Sequence, residues 1–117
     1  MRVGVPKEIK PQESRIGLTP ESVKTLTSNG HEVLVENNGG FEAGFSNDEY
    51  KKSGAKIVDS AEDIFNDSEI IVKVKEPLNN EIKMIKENQI VFTYLHLAAT
   101  KDLTEGLMKS KSICIAY

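Results

Sequence analysis

Arg15, Lys75 and His96 are the side chains of this sequence whose types and settings could do chemistry together. A guanidinium is a planar fork that grips a carboxylate through two parallel hydrogen bonds, and Arg15 is the candidate for that role. The other reading of Arg15 is a solvated loop arginine. A lysine ammonium is a compact charge able to polarise a carbonyl oxygen, and Lys75 is the candidate. Its other reading is a strand-end lysine reaching water. Lys73 has the same side-chain parity along a regular strand, and two like charges held close disfavour each other's charged form. An imidazole titrates near neutral pH, which makes His96 the candidate general acid/base. A histidine in the apolar setting Tyr94-Leu-His-Leu-Ala-Ala99 is also commonly a hydrogen-bonded core or cap residue. The trio suits a small 2-oxo acid, with arginine on the carboxylate, lysine on the keto oxygen and histidine moving protons. No redox group is among them, so transfer, lyase and oxidoreductase chemistry all stay open. His31 and His96 lie far apart without ligand spacing, which argues against a metal site.

Each candidate follows a segment that reads as a strand. Ile70 to Val74 is β-branched apart from Lys73 and contains no turn former. Pro77 stops it, because proline lacks the N–H that a central strand must donate. Ile90 to Leu95 is a second such run. Arg2-Val-Gly-Val-Pro6 opens the chain with another, followed by a polar, aperiodic loop from Lys7 to Gly17. Loops of that length in compact domains are usually functional or disordered. Lys75 and His96 therefore lie just beyond strand C-terminal ends, and Arg15, in the loop beyond the first strand, can lie at the same edge. In a parallel sheet those ends share one edge, and ligands bind in the crevice there.

The remaining elements alternate. Thr19-Pro20-Glu21 starts a helix with an N-cap, a proline at the first position and an acid in the first turn. Val23, Leu26 and Thr27 face inward, and Asn29-Gly30 ends it. His31 to Glu36 is a strand. The glycine-rich stretch Asn37 to Gly44 is not G-x-G-x-x-G and reads more simply as a strained connection than as a phosphate cradle. Ser46 caps a helix through Tyr50 to Ser53, Ala55 to Val58 is a short strand, and Ser60 caps a helix carrying Ile64 and Phe65. Leu78, Ile82 and Ile85 recur at helical spacing. Thr100 starts a last helix with Leu103, Leu107 and Met108 inward, and Lys111 to Tyr117 is a final strand. The fold class expected is α/β: an open, mostly parallel sheet covered by helices on both faces, Rossmann-like but without the nucleotide fingerprint.

The totals narrow the function classes. The net charge of -3 gives no basic surplus for nucleic acid or an anionic membrane. The single cysteine, Cys114, excludes an internal disulfide framework and reads as a small buried hydrophobe. No signal peptide is evident, and the apolar runs are strand-sized, so a cytoplasmic globular domain is expected. The chain stops on its last apolar strand, which suggests part of something longer.

Several stretches carry a resemblance. The opening Met-Arg-Val-Gly-Val-Pro-Lys-Glu-Ile-Lys10, Glu13-Ser-Arg-Ile-Gly-Leu-Thr-Pro20, Gly30-His-Glu-Val-Leu-Val-Glu36, Lys73-Val-Lys-Glu-Pro77 and Phe92-Thr-Tyr-Leu-His-Leu-Ala-Ala99 resemble the N-terminal part of the bacterial L-alanine dehydrogenase family. The resemblance implies residues 1–117 of a substrate-binding domain, with the NAD-binding domain absent from this chain. It implies NAD as cofactor, L-alanine and pyruvate as substrates, and a homohexamer. By motif match, Arg15 is implied as the carboxylate ligand, Lys75 as the second substrate ligand and His96 as the catalytic acid/base. The segment by itself is expected to be inactive. The α subunit of proton-translocating transhydrogenase resembles the same opening and Gly44 to Tyr50, and saccharopine dehydrogenase shares a related lysine and histidine. The Leu95-His-Leu-Ala-Ala99 context fits alanine dehydrogenase better. A standalone binding or assembly module of the same fold is the alternative of another class.

Overall fold

The computed structural model describes residues 1–95 and 101–117. Six strands form one sheet: β1 (Arg2–Val5), β2 (Glu32–Glu36), β3 (Lys56–Val58), β4 (Ile70–Val72), β5 (Ile90–Thr93) and β6 (Ile113–Ala116). Their order is β3-β2-β1-β4-β5-β6, and every neighbouring pair is parallel. The helices between them are α1 (Pro20–Ser28), α2 (Asn47–Lys52), α3 (Ala61–Asp67), α4 (Asn79–Ile82) and α5 (Lys101–Ser110). The α/β class expected from the sequence is the one observed.

Local chemistry sets most boundaries. The Thr19 hydroxyl accepts from the Ser22 N–H at the start of α1, and Gly30 takes φ 86° just past its end. Ser46 and Glu49 form a reciprocal capping box on α2, and Ser60 accepts from Asp63 N–H on α3. Alternation along the strands then builds two cores, one on each sheet face. Val3, Val5, Val33, Val35 and Val72 pack with Val23 of α1 and Tyr50 of α2. Leu34, Ile71 and Val91 pack on the other face with Ile64 and Phe65 of α3 and Leu103 and Leu107 of α5. Among the described residues no helix is long and apolar enough to cross a membrane.

The structure differs from the sequence expectation in several places. β4 ends at Val72 rather than Val74, because the chain bends at Val74 and Lys75. β5 ends at Thr93 rather than Leu95. The run from Leu78 to Ile85 yields a single turn of helix, α4, with Ile82 and Ile85 reaching the second core through that turn and the one after it. Met108 is 74% exposed, because the buried stripe of α5 is Leu103 and Leu107 alone. Cys114 is half-buried, since β6 is an edge strand with little over it.

Candidate functional site

The strand order reverses at β1: β2 and β3 follow on one side of it, β4 to β6 on the other. The connections after β1 and β4 therefore diverge, and a crevice opens between the two strand ends. The segment from Pro6 to Thr19 crosses it as an irregular loop. Three contacts fix that loop. Ile16 is buried in the first core. Gly17 lies so close to the end of β4 that a Cβ there would stand 2.5 Å from the Val72 carbonyl oxygen. The Leu18 carbonyl accepts from the buried Tyr50 hydroxyl at 2.8 Å. Arg15, just ahead of these anchors, faces a cleft of about 410 Å³ that it lines with Val74, Lys75, Tyr94 and Tyr117. Clefts of roughly 300–1,000 Å³ are usual for small ligands.

The structure thus brings Arg15 and Lys75 to one cleft. His96 lies outside the described residues. Tyr94, two positions earlier in the sequence, lines the cleft.

Arg15 is already held on one edge. Its Nε donates to Glu13 Oε2 at 2.9 Å and its Nη2 to Glu13 Oε1 at 2.8 Å, while its backbone N–H donates to Oε2 at 2.9 Å. These bonds hold the Glu13 carboxyl down to about 2, with Lys75 adding to the effect, and raise Arg15 in turn. Among the described residues, Nη1 carries no hydrogen bond, so the outer face of the fork is open to a second anion.

Lys73 and Lys75 do not share a side-chain environment, because the bend at Val74 and Lys75 ends strand parity. Lys75 is half-buried at the cleft. Lys73 is buried, 1% exposed, between Glu8 Oε2 at 3.3 Å and Glu81 Oε2 at 3.0 Å. The like-charge pairing expected from sequence is therefore replaced by two carboxylates around Lys73. Glu8 also accepts from Val74 N–H at 3.1 Å and Lys75 N–H at 3.1 Å. Thr93 Oγ1 donates to the Lys75 carbonyl at 2.9 Å, and the Tyr117 hydroxyl reaches the Lys73 and Val74 carbonyls at 2.9 and 3.2 Å. Burial, with the Glu8 charge second, pushes the Tyr117 hydroxyl up, which keeps it a donor.

Sequence reasoning missed Glu8, Glu13, Glu81, Tyr94 and Tyr117. One signal was available: a lysine flanked by Val72 and Val74 in a buried strand must find an acid. Nothing in the sequence says which acid.

Fold and site together define a class, a parallel α/β domain with a cationic cleft beyond its strand ends, suited to a small anion. The family model described as "Alanine dehydrogenase/PNT, N-terminal domain" matches residues 4–117, and the chain belongs to that family. It is 50% identical over 117 residues to an alanine dehydrogenase of Staphylococcus epidermidis, which spans 100% of this chain and 31% of that protein. An alanine dehydrogenase of Methanococcus maripaludis is 44% identical over the same length, again 31% of that protein. Among solved structures, an L-alanine dehydrogenase superposes with a TM-score of 0.97 at 50% identity, covering 100% of this chain and 32% of the other. A transhydrogenase from Sinorhizobium meliloti superposes at 0.92 with 28% identity, covering 99% and 34%. The chain thus spans about a third of the length of the relatives it matches.

Proposed function

We propose that residues 1–117 are the substrate-binding part of an NAD-dependent L-alanine dehydrogenase, which converts L-alanine, NAD and water into pyruvate, ammonium, NADH and a proton. The observation that carries this reading is the convergence of Arg15 and Lys75 on one cleft at the point where the strand order reverses. Arg15 holds the carboxylate through the face of its fork that Glu13 leaves open. Lys75 faces the keto oxygen, or the amino group in the opposite direction. His96 is the acid/base, on the strength of its residue type and its place in the sequence after β5. When bound, NAD takes up the hydride. β1 runs into the long Pro6–Thr19 loop and not into a glycine-rich turn at a helix start, so these residues do not fit a dinucleotide. NAD belongs to a domain outside the segment, and a cytoplasmic homohexamer is the setting the family implies. The transhydrogenase reading has the same fold behind it, but identity falls from 50% to 28%.

The test is alanine-dependent NAD reduction by the full-length protein and its variants. Arg15→Ala raises KM for pyruvate about 10- to 100-fold, the worth of a charge-assisted hydrogen bond, with a smaller loss in kcat. His96→Ala lowers kcat by about 100-fold or more. Near-normal turnover of the histidine variant removes it from the mechanism. Hydride exchange between nucleotides with no alanine turnover gives the function to the transhydrogenase reading.

A further inference from the structure

We infer that Glu8, acting with the hydroxyls of Thr93 and Tyr117, is the positioning residue for Lys75. The inference rests on the reading of Lys75 as a substrate ligand.

The parallel ladder of β4 gives out at Lys73, whose N–H is the last to reach β5, at the Phe92 carbonyl. The chain then bends, and the next two amides, Val74 and Lys75, have no strand to bond. Glu8 takes both, one on each carboxylate oxygen at 3.1 Å. The three carbonyls of the same segment are also taken by side chains: Lys73 and Val74 by the Tyr117 hydroxyl, Lys75 by Thr93. The backbone under Lys75 is thus fixed by side chains from three separate places, the β1 loop, β5 and the chain just after β6.

A carboxylate is an expensive way to satisfy two amides. Glu8's side chain is 2% exposed, and burying a charge costs several kcal/mol before any partner repays it. Lys73 offsets part of this and is in turn shared with Glu81. Water or a backbone carbonyl would satisfy an exposed bend. A buried carboxylate gripping both amides adds a fixed direction, and that is what a ligand-binding lysine on a bend requires. Among the described residues Glu8 does not itself line the cleft, and it acts through the backbone of Val74 and Lys75.

The test uses the full-length protein. Glu8→Gln keeps the shape but leaves one of the two amides facing an NH2 group. It is expected to lower kcat/KM for pyruvate about tenfold or more, in line with the effect of removing an orienting partner, while KM for NADH stays within about twofold. Tyr117→Phe and Thr93→Val each produce a smaller loss in the same parameter. The decisive readout is the double variant: in a Lys75→Ala background, Glu8→Gln has little further effect, because the group it positions is gone. Equal losses in both backgrounds overturn the proposal and reduce Glu8 to a stabilising residue. Wild-type kcat/KM in Glu8→Gln and Tyr117→Phe, with Lys75→Ala impaired, also overturns it and leaves the reading of Lys75 intact. Unimpaired Lys75→Ala overturns that reading itself. If Glu8→Gln does not fold, Tyr117→Phe, whose residue is 57% exposed and whose ring still packs on Phe92, applies the same cycle through the carbonyls.

Discussion

Arg15 reaches the cleft with part of its donor set committed, and this shapes what it can bind. Glu13 takes the Nε edge and offsets one positive charge, and on the proposed reading the open Nη1 side is what meets the substrate carboxylate. Glu13's carboxyl lies at about 2 in the folded protein against an ordinary 4.5. A depressed carboxylate contributes stability that is present above the ordinary value and lost as pH falls through the folded one. Glu13→Gln should therefore flatten the decline in melting temperature between pH 4.5 and about 2 relative to the parent. Raising the salt should shrink the difference, because the Arg15 side chain is 65% exposed. Parallel acid limbs for the two proteins would show that the pair contributes nothing. That Arg15 and Lys75 would line one cleft was legible because a lysine just past an apolar strand, and an arginine in the long loop after another, both stand out. Glu13 was not, because an acid two residues from an arginine in a polar loop looks like any other.

The loop that carries Arg15 is only as rigid as the elements that hold it, and Tyr50 of α2 is one of these. Its side chain is wholly buried, and its hydroxyl donates to the Leu18 carbonyl. Tyr50→Phe strands that carbonyl and should cost about 1 kcal/mol near neutral pH, read from urea midpoints. Burial, with Glu49 second, pushes the Tyr50 hydroxyl up to about 12 from an ordinary 10. A raised value means stability that is full below pH 10 and falls as pH rises toward 12. Phenylalanine has no such loss, so the deficit of the variant should narrow at about pH 11; a constant deficit would contradict the buried hydroxyl. Element identity was readable here because Thr19, Ser46 and Ser60 are caps whose chemistry is local. The ends of β4 and β5 were not readable. The apolar pattern runs on through Val74 and Leu95, whereas at the end of β4 side chains remote in sequence, Glu8 foremost, take the backbone groups that a longer ladder would use.

Across the whole molecule the two sheet faces are unequally covered. α1 and α2 shield β1 to β3 on one face, and α3 and α5 shield the other. Beyond β4, the first face presents Phe92, Ile113, Ile115 and Tyr117. Ile113 is 50% exposed, Ile115 45% and Tyr117 57%, and no helix lies over them among the described residues. Strand alternation puts Ile113 and Ile115 on this face because Cys114 between them packs against the second core. Among the described residues β6 is also an edge strand, with no further strand hydrogen-bonded along its outer side. An apolar strip beside an open edge favours pairing with another copy. The 117-residue segment prepared alone should therefore associate as its concentration rises, followed by sedimentation velocity. Ile115→Lys, a charge of the kind that guards natural edges, should shift it toward monomer without lowering the melting temperature by more than a few degrees, since the side chain is half in solvent. A parent segment that stays monomeric across the same range would show that the strip and the edge are too short to pair.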